Sequence, residues 1–251
     1  MKIAVAGKGG VGKSTLSALM ARILQESGHK VLLIDADPDM NQASLLGIPE
    51  DTKIVPISEL KELIAERTGT EVNKPAPLFT MNPKVEDIPD KYCITQHGIK
   101  LLTMGTIRKG GGGCACPENT FLKVLLSHLI ISRDEWVILD MEAGIEHLGR
   151  GTALGVDRLC IIVEPSLTSM ATAFRINKLA ADIGIKKIGI IGNKIQNEED
   201  RNFIRNNLNN FEILGLLKHS DEIRMMNTEN MALFNIKGDI MTQINNVIKA
   251  I

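Results

Sequence analysis

The sequence predicts an α/β protein built on a doubly wound, mainly parallel sheet with helices on both faces. Short, continuous apolar runs of β-prone residues alternate with segments of helical spacing along most of the chain. The runs lack the polar alternation of a sheet with one wet face, so they read as strands buried on both sides. Strands separated by helices imply right-handed crossovers between parallel neighbours.

The first run, residues 2–6, ends in a glycine loop, and residues 14–25 then place Leu16, Leu19, Met20, Ile23 and Leu24 on one helical face. Gly28 closes that helix, and residues 31–34 form a second buried strand. Further strands are expected at 99–104, 136–139, 159–163 and 188–191, with a weaker one at 213–217. Helical patterns lie between them at 119–131, 168–183 and 199–208. Between Thr68 and His97 the periodicity is lost, and Pro75, Pro77, Pro83 and Pro89 interrupt any regular element, which reads as a surface excursion suited to partner contact. The expectation is a single domain over residues 1–251.

Bulk properties exclude several classes. Hydrophobic residues make up 44% and charged residues 24% of the chain, as in ordinary globular proteins rather than disordered or membrane-embedded ones. With 29 basic against 30 acidic residues and no basic stripe, there is no electrostatic footprint for nucleic acid. The N-terminal apolar run is too short for a secretory signal, no run approaches the length of a spanning helix, and 239–251 is a short stretch unsuited to anchoring. A cytoplasmic protein without stable membrane association is expected, in which the four cysteines serve thiol or metal chemistry rather than disulfides.

Gly7-Lys8-Gly9-Gly10-Val11-Gly12-Lys13-Ser14-Thr15 lies between the first strand and the first helix. Glycines at this spacing let backbone amides curl around phosphate oxygens at a helix N-terminus. Lys13 supplies positive charge to the β and γ phosphates, the Ser14 hydroxyl binds Mg²⁺, and Thr15 follows towards the α-phosphate. With its extra Lys8, the loop resembles the deviant Walker A family of P-loop NTPases, which includes the MinD and ParA ATPases, arsenite-pump ATPases, the nitrogenase iron protein and the nickel-insertion ATPases. That resemblance implies ATP hydrolysis in a homodimer, with Lys8 reaching the nucleotide of the opposite subunit. Residues 33–41, Leu-Ile-Asp-Ala-Asp-Pro-Asp-Met-Asn, resemble the family's first switch. Asp37 would orient or deprotonate the attacking water and Asp35 would lie near Mg²⁺, while Asp39 is open to reading as a turn former. Residues 137–146 resemble the second switch, with Asp140 near Mg²⁺ and Gly144 sensing the γ-phosphate. Asn193 resembles the family's adenine-reading asparagine. By this resemblance Lys8, Lys13 and Asp37 are the catalytic set.

A different chemistry is carried by Gly110-Gly111-Gly112-Gly113-Cys114-Ala115-Cys116-Pro117. Four glycines give a loop that two copies can bring together, and Cys116 stands at the start of the expected helix, whose positive end favours thiolate. Two sulfurs are too few for a closed soft-metal site, but Cys114 and Cys116 from both subunits of a dimer make four. Such a site suits zinc in tetrahedral or nickel in square-planar form, and thiolate softness alone equally admits copper. Cys160 lies in a buried run and reads as core, and Cys93 as ordinary packing. In the iron protein one cluster cysteine sits in a Gly-Cys-Ala context, matched by Gly113-Cys114-Ala115. The other lies seven residues after the second-switch aspartate, where this chain has His147. The broken ligand pair and the added Cys116 resemble instead the CooC-type nickel-insertion ATPases, which carry C-x-C and supply Ni²⁺ to carbon monoxide dehydrogenase as client. Two alternatives remain from the residues: a MinD/ParA-like positioning ATPase, and an iron-sulfur electron donor. His147 is a possible auxiliary ligand, while His29, His97, His128 and His219 lack ligand spacing.

Overall fold

The computed structural model describes residues 1–72, 74, 78–105, 116–132, 134–145, 148, 150–228 and 232–251. In chain order the elements are β1 (Lys2–Gly7), α1 (Lys13–Glu26), β2 (Val31–Ala36), α2 (Gln42–Leu45), a 3₁₀ turn (Ile57–Glu59), α3 (Lys61–Thr68), α4 (Ile88–Tyr92), β3 (Ile94–Gln96) and β4 (Ile99–Thr103). There follow α5 (Pro117–Ile131), β5 (Trp136–Met141), α6 (Arg150–Ala153), β6 (Arg158–Val163), α7 (Leu167–Ile183), β7 (Ile188–Ile195), α8 (Glu198–Asn207), β8 (Glu212–Lys218), α9 (Asp221–Thr228), a 3₁₀ turn (Leu233–Asn235) and α10 (Asp239–Ala250).

The strands form one sheet in the order β3-β4-β2-β5-β1-β6-β7-β8, parallel throughout except for the antiparallel β3–β4 pair. Every residue of β1, β2 and β6 is buried, as the continuous apolar runs predict. Successive side chains face opposite layers. Ala4, Ala6, Leu32 and Ile34 enter a core with Phe121, Leu125 and Leu129 of α5 and Ala173 and Ile176 of α7. Ile3, Val5, Val31 and Leu33 enter a second core with Leu16, Leu19 and Ile23 of α1 and Ile240, Ile244 and Val247 of α10. Helices on both faces of a mainly parallel sheet are the expected class.

Helix ends follow the capping chemistry of the sequence. Ser166 and Asn197 cap α7 and α8 by accepting the N–H of Ser169 at 3.3 Å and of Asp200 at 2.8 Å, and Gly184 ends α7 in the left-handed conformation at φ 88°. The N-cap of α5 is Cys116, whose Sγ accepts the N–H of Asn119 at 3.4 Å, as its expected place at the helix start requires.

Several segments depart from the sequence expectation: α2, α3 and α9 are not among the expected helices, and two further stretches differ in kind. The excursion between Thr68 and His97 contains α4 and β3. Ile88 and Val85 are buried in the first core, Pro89 occupies the first turn of α4, where a missing N–H costs nothing, and β3 pairs with β4. The Arg67 guanidinium grips Asp87 at 2.9 and 2.8 Å, holding that carboxyl well below the usual range and tying the segment to α3. Residues 239–250 form an amphipathic helix whose apolar face is spent on α1 and β8, so the stretch read only as too short for an anchor is part of the core. Among the described residues no helix is long and apolar enough to cross a membrane.

Phe121 has no exposed surface and anchors the first core. Phe121→Ala is expected to lower the free energy of unfolding by about 3–5 kcal/mol, read by chemical denaturation.

Candidate functional site

The sheet sets the site. In open α/β sheets the crevice lies outside the carboxyl ends of the strands, where the strand order reverses. Here the chain runs from β1 to β2 on one side and from β5 across β1 to β6 on the other. The ends of β1, β2 and β5 are neighbours, so the glycine loop, Asp35 with Asp37, and Asp140 converge. Register sharpens this: Asp140 is the Cα partner of both Val5 on β1 and Asp35 on β2.

The loop folds as its glycines allow. Gly10 and Gly12 adopt φ of 81° and 98°, left-handed values that side chains resist, and Gly12 is the N-cap of α1. A Cβ on Gly12 would lie 2.6 Å from Asn193 Nδ2, and one on Gly7 would run into the Ile162 carbonyl of β6. Asn193, towards the end of β7, donates from Nδ2 to the Val11 carbonyl at 2.8 Å. Val11 itself is buried in the second core, so the loop is fastened at its middle. Gly9, Gly10, Gly12, Lys13, Ser14 and Thr15 line a cleft of about 690 Å³. The cleft continues past Asp37 and Asn193 to Leu217 near the end of β8, His219 just after it and Ile223 of α9.

Three carboxylates gather at these strand ends, and of them Asp37 lines the cleft. Asp35 and Asp140 are fully buried and Asp37 is 9% exposed. Burial, with the nearby charges of Asp140 and Asp37 adding to it, pushes Asp35 up to about 7, against backbone N–H donors from Gln42 and Asp37. Burial likewise raises Asp140 to about 6, although Gln42, Ser14 and Lys13 all favour its charged form. Lys13 is itself buried. Close-packed oxygen donors whose charge the fold leaves incompletely compensated suit a hard cation, and Ser14, Asp35 and Asp140 therefore fit Mg²⁺ rather than a soft ion.

Four residues of this neighbourhood escape sequence reasoning. Gln42 donates from Nε2 to Asp140 Oδ2 at 2.7 Å and to the Ser14 carbonyl at 3.0 Å, and Ser17 Oγ donates to Asp140 Oδ1 at 3.4 Å. Glu164, directly after β6, sits between two lysines: Lys8 Nζ is 3.6 Å from its Oε1 and Lys194 Nζ 3.3 Å from its Oε2. Lys194 also donates to the Gly10 carbonyl at 2.6 Å, from a backbone in the left-handed region at φ 60°. Glu164 carries a usable signal, a charged residue immediately following a buried strand at the same sheet edge as Asp35 and Asp37. Gln42 carries none, because its contacts reach back 28 residues and forward 98.

The cysteines separate. Cys160 is fully buried in β6 and burial pushes its thiol up to about 12, as core packing implies. Cys93 packs half-buried against the first core. Cys116 is half-buried at the head of α5, whereas Cys114, the glycines at 110–113 and His147 lie outside the described residues. Among the described residues no group of three or more His, Cys, Asp or Glu side chains is arranged to hold a metal. Gly144 lies half-buried in the loop after β5. His97 stacks on Phe234 with centroids 4.0 Å apart, His29 packs by Trp136, and His219 lies 3.5 Å from Asp221, which accounts for three of the histidines without a metal.

Comparison with known proteins agrees with this geometry. The family described as the CobQ/CobB/MinD/ParA nucleotide binding domain matches residues 2–233. The chain is 44% identical over 238 residues to the carbon monoxide dehydrogenase accessory protein CooC of Rhodospirillum rubrum, covering 94% of this chain and 90% of that protein. An uncharacterized ATP-binding protein of Methanocaldococcus jannaschii is 45% identical over 226 residues, covering 89% of this chain and 87% of its own length. Among solved structures, the MinD cell division protein of Aquifex aeolicus superposes with a TM-score of 0.69 at 21% identity over 99% of this chain and 94% of that one, a likeness of fold. Fold, loop and sequence thus agree: the chain belongs to the CobQ/CobB/MinD/ParA nucleotide-binding family and, within it, to the group that contains the Rhodospirillum rubrum CooC accessory protein.

Proposed function

We propose that this chain is a homodimeric ATPase and metallochaperone that takes Ni²⁺ on a Cys114/Cys116 pair from each subunit. ATP hydrolysis would drive its insertion into carbon monoxide dehydrogenase. The observation that carries the reading is the identity to a carbon monoxide dehydrogenase accessory protein along nearly the whole chain, joined to a glycine loop and carboxylate cluster built for Mg²⁺ and nucleotide. The positioning alternative has the shared fold in its favour, but the apolar face of α10 is buried and offers nothing to a membrane. An iron-sulfur cluster on the same four sulfurs is distinguished by EPR after anaerobic reconstitution.

In this reading the loop amides of Gly7, Gly9, Gly10, Val11 and Gly12 receive the phosphates at the head of α1, with Lys13 on the β and γ groups and Thr15 towards the α group. Mg²⁺, when bound, neutralises phosphate charge; Ser14 holds it, with Asp35 and Asp140 beside it. Asp37, the least buried of the three carboxylates, orients the attacking water. Asn193 reads the base, and Gly144 registers the γ-phosphate in the second switch. Lys8 would exchange Glu164 for the partner's nucleotide. Its side chain is 40% exposed and the ion pair is a surface one, so the exchange costs little. Four thiolates on the dimer axis then hold a soft ion, and hydrolysis relaxes both switches to release it.

Three measurements test these assignments. Lys13→Ala should abolish phosphate release, and Asp37→Ala should keep nucleotide binding while turnover falls at least about 100-fold. Wild-type turnover in Asp37→Ala would move the water-orienting role elsewhere, and light scattering should show Lys8→Ala weakened in ATP-driven dimerisation. Titration of the apo protein with Ni²⁺ should give thiolate charge-transfer absorption with one ion per dimer, lost in Cys114→Ser and in Cys116→Ser. Unchanged absorption and stoichiometry in both would discard the site.

The carboxylates give a pH signature. With folded values of about 7 and about 6 against an ordinary 3.8, Asp35 and Asp140 bind protons more tightly in the folded chain. Their stabilising contribution is complete below about pH 4 and is lost as pH rises through about 7. Without Mg²⁺ and nucleotide, denaturation should therefore show Asp35→Asn gaining on wild type as pH rises from 5 through about 7. A constant difference across that range would refute the burial argument.

A further inference from the structure

Gln42 has no exposed surface and lies at the first turn of α2 among the groups that the proposed magnesium site draws on. Its backbone N–H donates to Asp35 Oδ2 at 3.0 Å, and its Nε2 to Asp140 Oδ2 at 2.7 Å and the Ser14 carbonyl at 3.0 Å. Chemistry fixes which way the amide faces. A carboxylate and a carbonyl both accept, so the NH₂ must turn to them, and both of its protons are then used. Oε1 is left as a buried acceptor with no donor among the described residues. A buried amide oxygen without a partner is rare and asks for an explanation.

The ligand that would satisfy it can be narrowed by elimination. With a cation beside them Asp35 and Asp140 are held in their charged, accepting forms, and the Ser14 carbonyl can only accept, so the polar groups fixed around the amide offer Oε1 little. The triphosphate of ATP is a set of acceptors near neutral pH, and adenine is assigned to the Asn193 end of the cleft. Mg²⁺ keeps several of its waters when bound, and these are strong donors. We propose that Gln42 is a positioning residue for magnesium: its amide holds Asp140 to the phosphate loop, and its buried Oε1 accepts a hydrogen bond from a water in the metal's shell. One side chain then ties the first-switch strand, the second-switch carboxylate and the loop to metal occupancy. The tightening of nucleotide by Mg²⁺ should depend on it, whereas nucleotide binding without metal should not.

The inference rests on the Mg²⁺–ATP reading above, and one titration separates the two. The full chain, free of nucleotide, is titrated with a fluorescent ATP analogue in EDTA and at graded Mg²⁺. Gln42→Met keeps the bulk and removes both donors and the acceptor, and Gln42→Asn keeps the amide but withdraws it by one methylene. In EDTA both variants should match wild type within about twofold, because the loop amides and Lys13 that receive the phosphates are retained and Asn193 still fastens the loop at Val11. The Mg²⁺ needed for half-maximal tightening should rise about 10- to 100-fold in Gln42→Met, as for other residues that orient a metal's ligands, and by less in Gln42→Asn. Thermal unfolding without nucleotide reports whether each variant is folded, and Gln42→Asn carries the test should Gln42→Met melt below the working temperature. Equal losses with and without Mg²⁺ would make Gln42 merely structural and overturn the proposal, as would an unchanged Mg²⁺ dependence in both variants. Wild type showing no Mg²⁺ dependence at all would instead remove the magnesium reading itself.

Discussion

Two aspartates paired across neighbouring parallel strands, neither with any exposed surface, set the terms for the rest of this molecule. Asp35 and Asp140 are in register on β2 and β5, both fully buried, and both are pushed towards protonation. Burying like charges together is expensive unless a cation or a dense set of donors answers them. The chain supplies donors from Gln42, Ser17 and the backbone of Asp37, and places Lys13 close by. What it does not supply is full compensation, and the hard cation proposed for this site would answer the charge that remains.

The cluster is tolerable because the sheet around it is so thoroughly packed. Each central strand is apolar on both faces, with α5 and α7 covering one side and α1 and α10 the other. Only at the carboxyl ends, where side chains leave the sheet, can polar groups collect, and the reversal of strand order at β1 opens the crevice there. Polar ties then hold the crevice in shape. Asn193 fastens β7 to the middle of the loop, and Lys194 fastens the next residue to Gly10. Asn193 thus has a structural contact as well as the base-reading role assigned to it.

Lys8 shows how such a frame can serve an assembly. In the single chain it shares Glu164 with Lys194 at the mouth of the cleft, an exposed pairing of modest strength. A side chain held loosely in one place by charge is available for a stronger charge elsewhere, as a nucleotide brought by a second copy would be. The proposed metal loop would belong to the same logic: Cys116 is anchored to α5 through Asn119, on a helix that packs against the sheet, so the proposed nucleotide and metal sites would share one scaffold.

Much of this was written in the order of residues alone. The strands at β1, β2, β5 and β6, the four long helices following β1, β4, β6 and β7, and the glycine loop are local patterns, because apolar continuity, helical spacing and left-handed glycines are properties of neighbouring residues. Asp35, Asp37 and Asp140 were legible for the same reason, each standing at or just after a buried run. The sequence obscured α4, whose Pro89 masked a helix held by Ile88, β3, which is held by pairing with β4, and α10, whose apolar stripe gains meaning only against α1. Tertiary structure alone decided that Asp35 faces Asp140, that Gln42 joins them to Ser14, and that Glu164 gathers two lysines. Strand order and register bring together residues far apart along the chain, and no local propensity encodes which strand lies beside which.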